Sequence, residues 1–335
     1  MAVTIKDVAK LAEVSISTVS RVINESKPVS PEARRRVLHA IETLGYEPNE
    51  VARSLVTKKS NLIGVVVDDI GCNYVSQIVR GIEEIGRMYN YDILLSSSYG
   101  NSETELKFLQ LLKTKQVEGI ILVSEIVSHD VVNYMKNSKL EFMYLNRYYK
   151  VPDFPSISID YKKATKVMMD YLIGLNHKKI LYLTQRIDID ETIEREKIEV
   201  YKEAVNSIGE EPILIQIDNL KIDGGYKIGR EILRIKEEKG ITAIFCCQDE
   251  LAIGLMNYFY DNNIRVPDDI SVSGFGDINV ASIFRPTLST IKEPYYDLGA
   301  ISIRKMLKKL IGEPMDEDKI VLPIRLIKRE SCKKL

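Results

Sequence analysis

From Leu62 onward the sequence alternates short apolar runs with longer amphipathic stretches, and few folds accept that pattern. The runs Leu62–Val67, Asp92–Ser96, Gly119–Val123 and Phe142–Leu145 come first; Ile180–Leu183, Ile213–Ile215, Ala243–Phe245 and Ile270–Ser273 then repeat the plan. A strand covered by helices on both faces reads as continuously apolar, because neither face meets water. The intervening stretches have helical spacing: Ile78, Ile82, Ile85 and Met88 point one way within Tyr74–Tyr89, and Glu103–Gln116 forms a second helix. Strands alternating with helices select parallel, doubly wound sheets. Two successive sets predict an α/β core of two subdomains with a cleft between them. Open sheets of this kind take ligands beyond the carboxyl ends of their strands. A chain of 335 residues has room for two or three domains.

The first 48 residues follow a different rule. Thr4 and Asp7 have the spacing of a capping box, in which a hydroxyl meets an orphan amide and a carboxylate reaches back. Ile5, Val8, Ala9 and Leu11 then make an apolar stripe, Ala12-Glu13-Val14 makes a turn, and Ser15 caps a second helix. Val19, Val22 and Ile23 face inward on that helix, leaving Ile16, Ser17, Ser20 and Arg21 outside. Small hydroxyls at a helix start can donate to phosphates, which the helix dipole also favours. A guanidinium on the same face can present its fork to guanine O6 and N7. Ser30-Pro31 opens a third helix, carried by Val37, Leu38, Ile41 and Leu44 to the stop at Gly45. The unit therefore reads as an all-α helix-turn-helix head.

Charge supports that division. Residues 1–60 hold ten Lys/Arg and seven Asp/Glu, net +3, whereas the remainder is net −4. A mildly basic head on a mildly acidic body suits local contact with DNA. Cys72, Cys246, Cys247 and Cys332 lack metal-ligand spacing, and His39, His129 and His177 are scattered, so no metal, cofactor or catalytic histidine cluster is expected. The polar, helix-forming start and the lack of an apolar run near 18 residues predict a cytoplasmic protein without a membrane span. Gly274-Phe-Gly276-Asp-Ile-Asn279 begins like a dinucleotide fingerprint after a strand, but its third glycine is missing.

The order of helix-turn-helix, third helix, Gly45-Tyr-Glu-Pro-Asn49 and Val51-Ala-Arg-Ser-Leu55 resembles the lac repressor family of bacterial transcription regulators. The resemblance runs over essentially the whole chain. It implies a helix-turn-helix domain at 1–48, a hinge helix at 49–60 and a periplasmic-binding-protein-like core at 61–335. The core would divide into an N-subdomain (about 61–160 and 293–322) and a C-subdomain (about 162–290 and 323–335), with chain crossings near Asp160-Tyr161, Ile291-Lys292 and Pro323. It further implies a homodimer on a pseudo-palindromic operator. Ser15, Thr18, Ser20 and Asn24 are then expected against the DNA backbone, Ile16, Ser17 and Arg21 read bases, and Thr4 and Asn49 are further DNA-binding positions. Leu55 would wedge into the central base step with Ala52 beside it.

The cleft departs from the sugar-responsive pattern of that family. Lys197 and Val200 stand where the resemblance puts an Arg and a Gly, Gln248-Asp249 replaces Asn-Asp, and Gly276-Asp277 replaces Asp-Asp. Lysine does not replace arginine at a planar site, and Gly276 removes a carboxylate. A different small-molecule effector, or none of the usual kind, is expected. The catabolite control branch of the family is similar at Arg80–Ile85, Met88-Tyr89, Lys115–Ile121, Ser158–Tyr161, Tyr296–Gly299 and Leu322-Pro323. There the corepressor is the serine-phosphorylated phosphocarrier protein, and the resemblance carries its docking positions to Tyr296, Asp297, Arg304 and Arg325. The simpler alternative makes Tyr296 and Asp297 caps of a Leu298–Leu310 helix and Arg304 a solvated charge.

A repressor of carbohydrate-related genes is the function this sequence supports. A solute-binding protein is the remote alternative, disfavoured by the head. An enzyme is disfavoured by the lack of paired catalytic carboxylates, a nucleophile–histidine pair or a phosphate loop.

Overall fold

The computed structural model describes residues 3–24, 27–46, 59–124, 128–146, 155–186, 192–314 and 319–335. The chain forms two compact units, Met1–Ser60 and Asn61–Leu335.

The first unit contains α1 (Ile5–Leu11), α2 (Ile16–Asn24) and α3 (Pro31–Leu44). Val8, Ala9, Ala12, Val19, Val22, Val37 and Ala40 are its core. Two expected core residues, Leu11 and Leu38, are each 49% exposed. At about 100° per residue, each lies roughly 110° from the middle of its buried stripe. Ala12 and Ala40 take the inward positions instead, and their small side chains let three short helices approach. Ser30 Oγ accepts from the Ala33 amide at 3.3 Å, and Gly45 closes α3 in the left-handed region at φ 58°.

The second unit holds a four-stranded parallel sheet in the order β2-β1-β3-β4. Its strands are β1 (Leu62–Val67), β2 (Asp92–Ser97), β3 (Gly119–Ser124) and β4 (Glu141–Asn146). The sheet is covered on both faces. Ile63, Val65, Val67, Ile121 and Val123 belong to one apolar cluster, with Ile78 and Ile82 of α4 (Asn73–Met88). Val66, Ile120 and Leu122 belong to another, with Leu109 and Leu112 of α5 (Ser102–Thr114) and Val131 and Met135 of α6 (His129–Asn137). Met88, expected inward, ends α4 and is 73% exposed.

A six-stranded sheet follows in the order β12-β10-β9-β8-β6-β7. It comprises β6 (Ile180–Gln185), β7 (Ile213–Ile217), β8 (Ala243–Cys246), β9 (Ser271–Gly276), β10 (Ser289–Lys292) and β12 (Arg325–Ile327). β12 runs antiparallel to β10, and the other pairings are parallel. Its helices are α7 (Tyr161–Gly174), α8 (Ile193–Ser207), α9 (Ile222–Lys239), α10 (Asp249–Asp261) and α11 (Asn279–Ile283). α12 (Tyr295–Leu310) returns to pack on α4 and on β3 and β4. β5 (Ser156–Ile159) and β11 (Lys319–Leu322) pair in parallel beside β4. The chain thus leaves the first lobe after β5, returns to it after β10, and leaves again between β11 and β12. β5, β10, β11 and β12 were not among the expected strands. Each has only three or four residues, and β5 and β11 alternate in burial, so neither gives a continuous apolar run.

All four cysteines are buried free thiols. His177 is buried beneath the C-terminal strap. Its Nε2 donates to the Lys333 carbonyl (3.1 Å) and its Nδ1 accepts from Thr242 Oγ1 (3.0 Å). Burial holds its pKa below the ordinary 6.5. The unfolded chain therefore takes up a proton that the folded lobe refuses, and stability is lost as pH falls below about 6.5. Denaturant midpoints at pH 8 and pH 5.5 should differ more for wild type than for His177→Gln.

Candidate nucleic-acid interface and effector cleft

Thr4 and Asp7 open the head with the expected capping box. Both the Thr4 amide (2.9 Å) and its hydroxyl (2.7 Å) donate to the Asp7 carboxylate, so the hydroxyl is a donor here. These bonds lower the Asp7 pKa, chiefly through the Thr4 side chain. A phosphate could take the Thr4 proton only at the cost of that bond.

At the start of α2, Ser15 Oγ accepts from the Thr18 amide at 3.2 Å. It also lies 2.8 Å from Ser17 Oγ and 2.9 Å from Thr18 Oγ1. Three hydroxyl protons serve two hydroxyl–hydroxyl bonds, leaving one to donate outward. Val19 and Val22 are buried, whereas Ser17 and Arg21 are exposed and Ile16 is 45% exposed. Ile16, Ser17, Ser20 and Arg21 span about 140° of the helix circumference, so one flat approach reaches all four. Arg21 has no side-chain partner among the described residues. The side chain of Asn24, together with Asn49, Ala52, Leu55 and the expected hinge helix, lies outside the described residues.

In the second unit the cleft residues gather at the carboxyl ends of β8 and β9. Gln248 caps α10, Asp249 begins it, and Gly276-Asp277 closes β9 in a turn with φ of 135° and 56°. Lys197 reaches in from α8, its Nζ 3.5 Å from the Cys247 carbonyl. Their polar atoms are engaged within the protein. Lys197 is buried, donates to Glu194 Oε2 at 2.9 Å, and sits 4.4 Å from the centre of the Phe275 ring. Glu194 Oε1 also accepts from Tyr182 (2.5 Å) and Thr184. Asp249 accepts from the Ile278 amide (2.9 Å) and Thr290 Oγ1 (2.5 Å). Asp277 pairs with Arg329 Nη2 at 2.6 Å.

Glu194, Phe275, Thr290 and Arg329 therefore engage the expected cleft residues and were not among the site residues read from the sequence. Only Glu194, three residues before Lys197, carried a local signal. Arg329 reaches Asp277 across 52 residues.

The other expected surface lies on α12. That helix starts at Tyr295, so Tyr296 and Asp297 occupy its first turn and do not cap a shorter helix. Tyr296 donates to Glu84 Oε2 (2.8 Å), and Arg80 Nε donates to Glu84 Oε1 (2.8 Å). Arg80, and next Tyr296, hold the Glu84 pKa down. Asp297 and Arg304 are exposed, seven residues or two turns apart on one face. Arg325 is exposed on β12 of the other lobe, opposite Lys292.

Among the described residues no group of His, Cys, Asp and Glu could hold a metal ion, and no helix is long and apolar enough to cross a membrane.

The arrangement has counterparts among known proteins. Residues 4–49 match the family described as bacterial regulatory proteins, lacI family, and residues 169–332 match the periplasmic binding protein-like domain. The HTH-type transcriptional regulator RegA of Clostridium saccharobutylicum is 36% identical over 334 residues, 99% of each chain. Catabolite control protein A of Priestia megaterium is 35% identical over 337 residues, covering 99% of this chain and 100% of that one. Among solved structures, the lac repressor dimer bound to operator and the anti-inducer ONPF superposes with a TM-score of 0.87 at 27% identity, covering 99% of this chain and 100% of that one. A helix-turn-helix head, a two-lobed α/β core and full-length relatives at these identities place the chain in the lacI family of bacterial regulatory proteins.

Proposed function

We propose that the chain acts in the cytoplasm as a homodimeric, non-enzymatic repressor of carbohydrate-related genes. Two heads (1–48) occupy adjacent major-groove half-sites of a pseudo-palindrome, and a hinge (49–60) joins them to the core (61–335). The core's N-subdomain comprises about 61–160 and 293–322, and its C-subdomain about 162–290 and 323–335. The exposed Ile16–Ser17–Arg21 face of α2 carries this reading, because among the described residues the Arg21 fork is spent on no other side chain. Ser15, Thr18, Ser20 and Asn24 position the backbone, with Thr4 and Asn49 at the flanks. Leu55 kinks the central step from the minor groove, Ala52 packing beside it. Arg21→Ala should cost about 1–3 kcal/mol and relax preference at a single base pair. Fluorescence anisotropy on a set of single-substitution operators reads this; equal weakening on every operator would make Arg21 a phosphate contact.

The sealed state of Lys197 favours a second reading of the regulation. An ammonium held by Glu194 over Phe275 is a poor partner for a sugar hydroxyl. The corepressor is then the serine-phosphorylated phosphocarrier protein, received on α12 by Tyr296, Asp297 and Arg304, with Arg325 across the lobes. A relative named catabolite control protein A, matched over its full length, supports it. Arg304 would supply the charge-assisted pairing a phosphoserine needs, worth about 1.5–3 kcal/mol. Operator binding titrated with that protein should tighten, and Arg304→Ala should remove most of the gain. Release by one member of a sugar panel, with no response to the phosphoprotein, would restore a small-molecule effector in the cleft.

A further inference from the structure

Three helix starts from the two lobes meet beside the cleft. Cys72 and Asn73 open α4 on the first lobe; on the second, Lys221 is the N-cap of α9 and Glu250 lies in the first turn of α10. Lys221 Nζ lies directly against Cys72 Sγ, and the Cys72 thiol donates to Asp69 Oδ2 at 3.7 Å. Asn73 Nδ2 donates to Glu250 Oε1 at 3.2 Å. Each bond joins residues about 150 to 180 positions apart and bridges the lobes.

Both sides of this junction are stiff. A Cβ on Gly254 would lie 1.9 Å from the Ile222 carbonyl oxygen, and one on Gly225 would lie 2.2 Å from that of Leu251. The starts of α9 and α10 are thus in backbone contact and hold Lys221 and Glu250 in fixed relation. On the facing side, Asp69 Oδ1 accepts from the Gly71 amide at 2.8 Å and shapes the turn that presents Cys72 and Asn73. Two rigid jaws therefore meet through side-chain bonds of the chain itself, while Lys197, Asp249 and Asp277 are already committed deeper in the cleft.

We propose that Lys221–Cys72 and Asn73–Glu250 form a clasp that holds the two lobes closed without a small molecule, so that closure for operator binding is intrinsic to the chain. The proposal rests on the repressor reading above. A cleft that needs a ligand to close would leave its lobes apart when empty. A clasped one keeps the binding-competent arrangement populated, and anything that opens it lowers apparent affinity by the fraction lost.

A reversible charge exchange tests the clasp. Asn73→Asp sets two carboxylates against each other at the junction, while an acid at the start of α4 remains favourable for that helix. Glu250→Gln added to it restores a donor–acceptor pair with the roles exchanged. Lobe separation is read by pulsed dipolar spectroscopy between spin labels at Lys113→Cys and Lys239→Cys, with labelled full-length chain diluted into unlabelled. Asn73→Asp should lengthen and broaden the distance distribution and weaken operator binding about tenfold, as expected when the closed fraction falls to about a tenth. The double variant should recover both. An unchanged distribution in Asn73→Asp, or lengthening that leaves operator affinity intact, would overturn the proposal. If the unsubstituted chain bound no operator, the repressor reading would fail, while the distances would still report on the clasp.

Discussion

Replacing Glu194 with alanine should destabilise the core by about 3–5 kcal/mol, the cost of leaving a buried charge without its counterion. Glu194 and Lys197 are both buried, and the carboxylate also receives Tyr182 and Thr184. Removing it takes the carboxylate partner from one ammonium and two hydroxyls, all of them buried. The complementary variant separates the penalty of breaking the pair from the worth of having it. Glu194→Leu with Lys197→Met and Tyr182→Phe removes every stranded polar group except the Thr184 hydroxyl, and should stay within about 1 kcal/mol of wild type or exceed it. Urea midpoints by circular dichroism at pH 7 measure both. A Glu194→Ala cost below about 1 kcal/mol, the range of exposed pairs, would mean that water reaches this pair in solution.

The second large effect concerns the crossing of α4 and α12. A Cβ on Gly299 would fall 2.0 Å from the Ile78 carbonyl oxygen, and one on Gly81 would fall 2.2 Å from that of Tyr296. These are backbone atoms and cannot rotate aside. Gly299→Val must part the helices that cover one face of the first sheet, at a cost of about 3 kcal/mol or more. Gly174, at the end of α7, has nothing within 4 Å of an added Cβ, so Gly174→Ala should be neutral or gain about 0.5 kcal/mol. Opposite signs for two glycine substitutions in helices of one lobed unit would locate the effect in close packing. Because Tyr296 and Arg304 ride on α12, Gly299→Val should also weaken any partner that docks there.

Much of this architecture was legible in the chain because its signals are local. Leu62–Val67 and Gly119–Val123 are strands because continuous burial leaves an unbroken apolar run. Ser30-Pro31 and Gly45 bound α3 because a cap, a preset φ and a left-handed residue act on their own neighbours. Leu11, Leu38 and Met88 were misplaced for the same reason: apolar character is written in the sequence, but which 140° of a helix is covered depends on what lies opposite. β5, β10, β11 and β12 went unread because polar residues or alternating burial leave each without a continuous apolar run.

At the sites the boundary is sharper. Residue type and spacing over a few positions set Ile16, Ser17, Ser20 and Arg21 on one face of α2 and give the core its two successive strand sets, while the likeness to the lacI family marks Lys197, Gln248 and Gly276 as altered. What those residues are free to do follows from contacts made across the fold. Lys197 is claimed by Glu194 and Phe275, Asp277 by Arg329, Tyr296 by Glu84, and Asn73 by Glu250. Most of these partners are tens to hundreds of positions away, and their meeting is set by how the lobes are wound and crossed. A polar side chain's availability depends on its desolvation and its neighbours' charges, and both come into being only when distant segments are packed together.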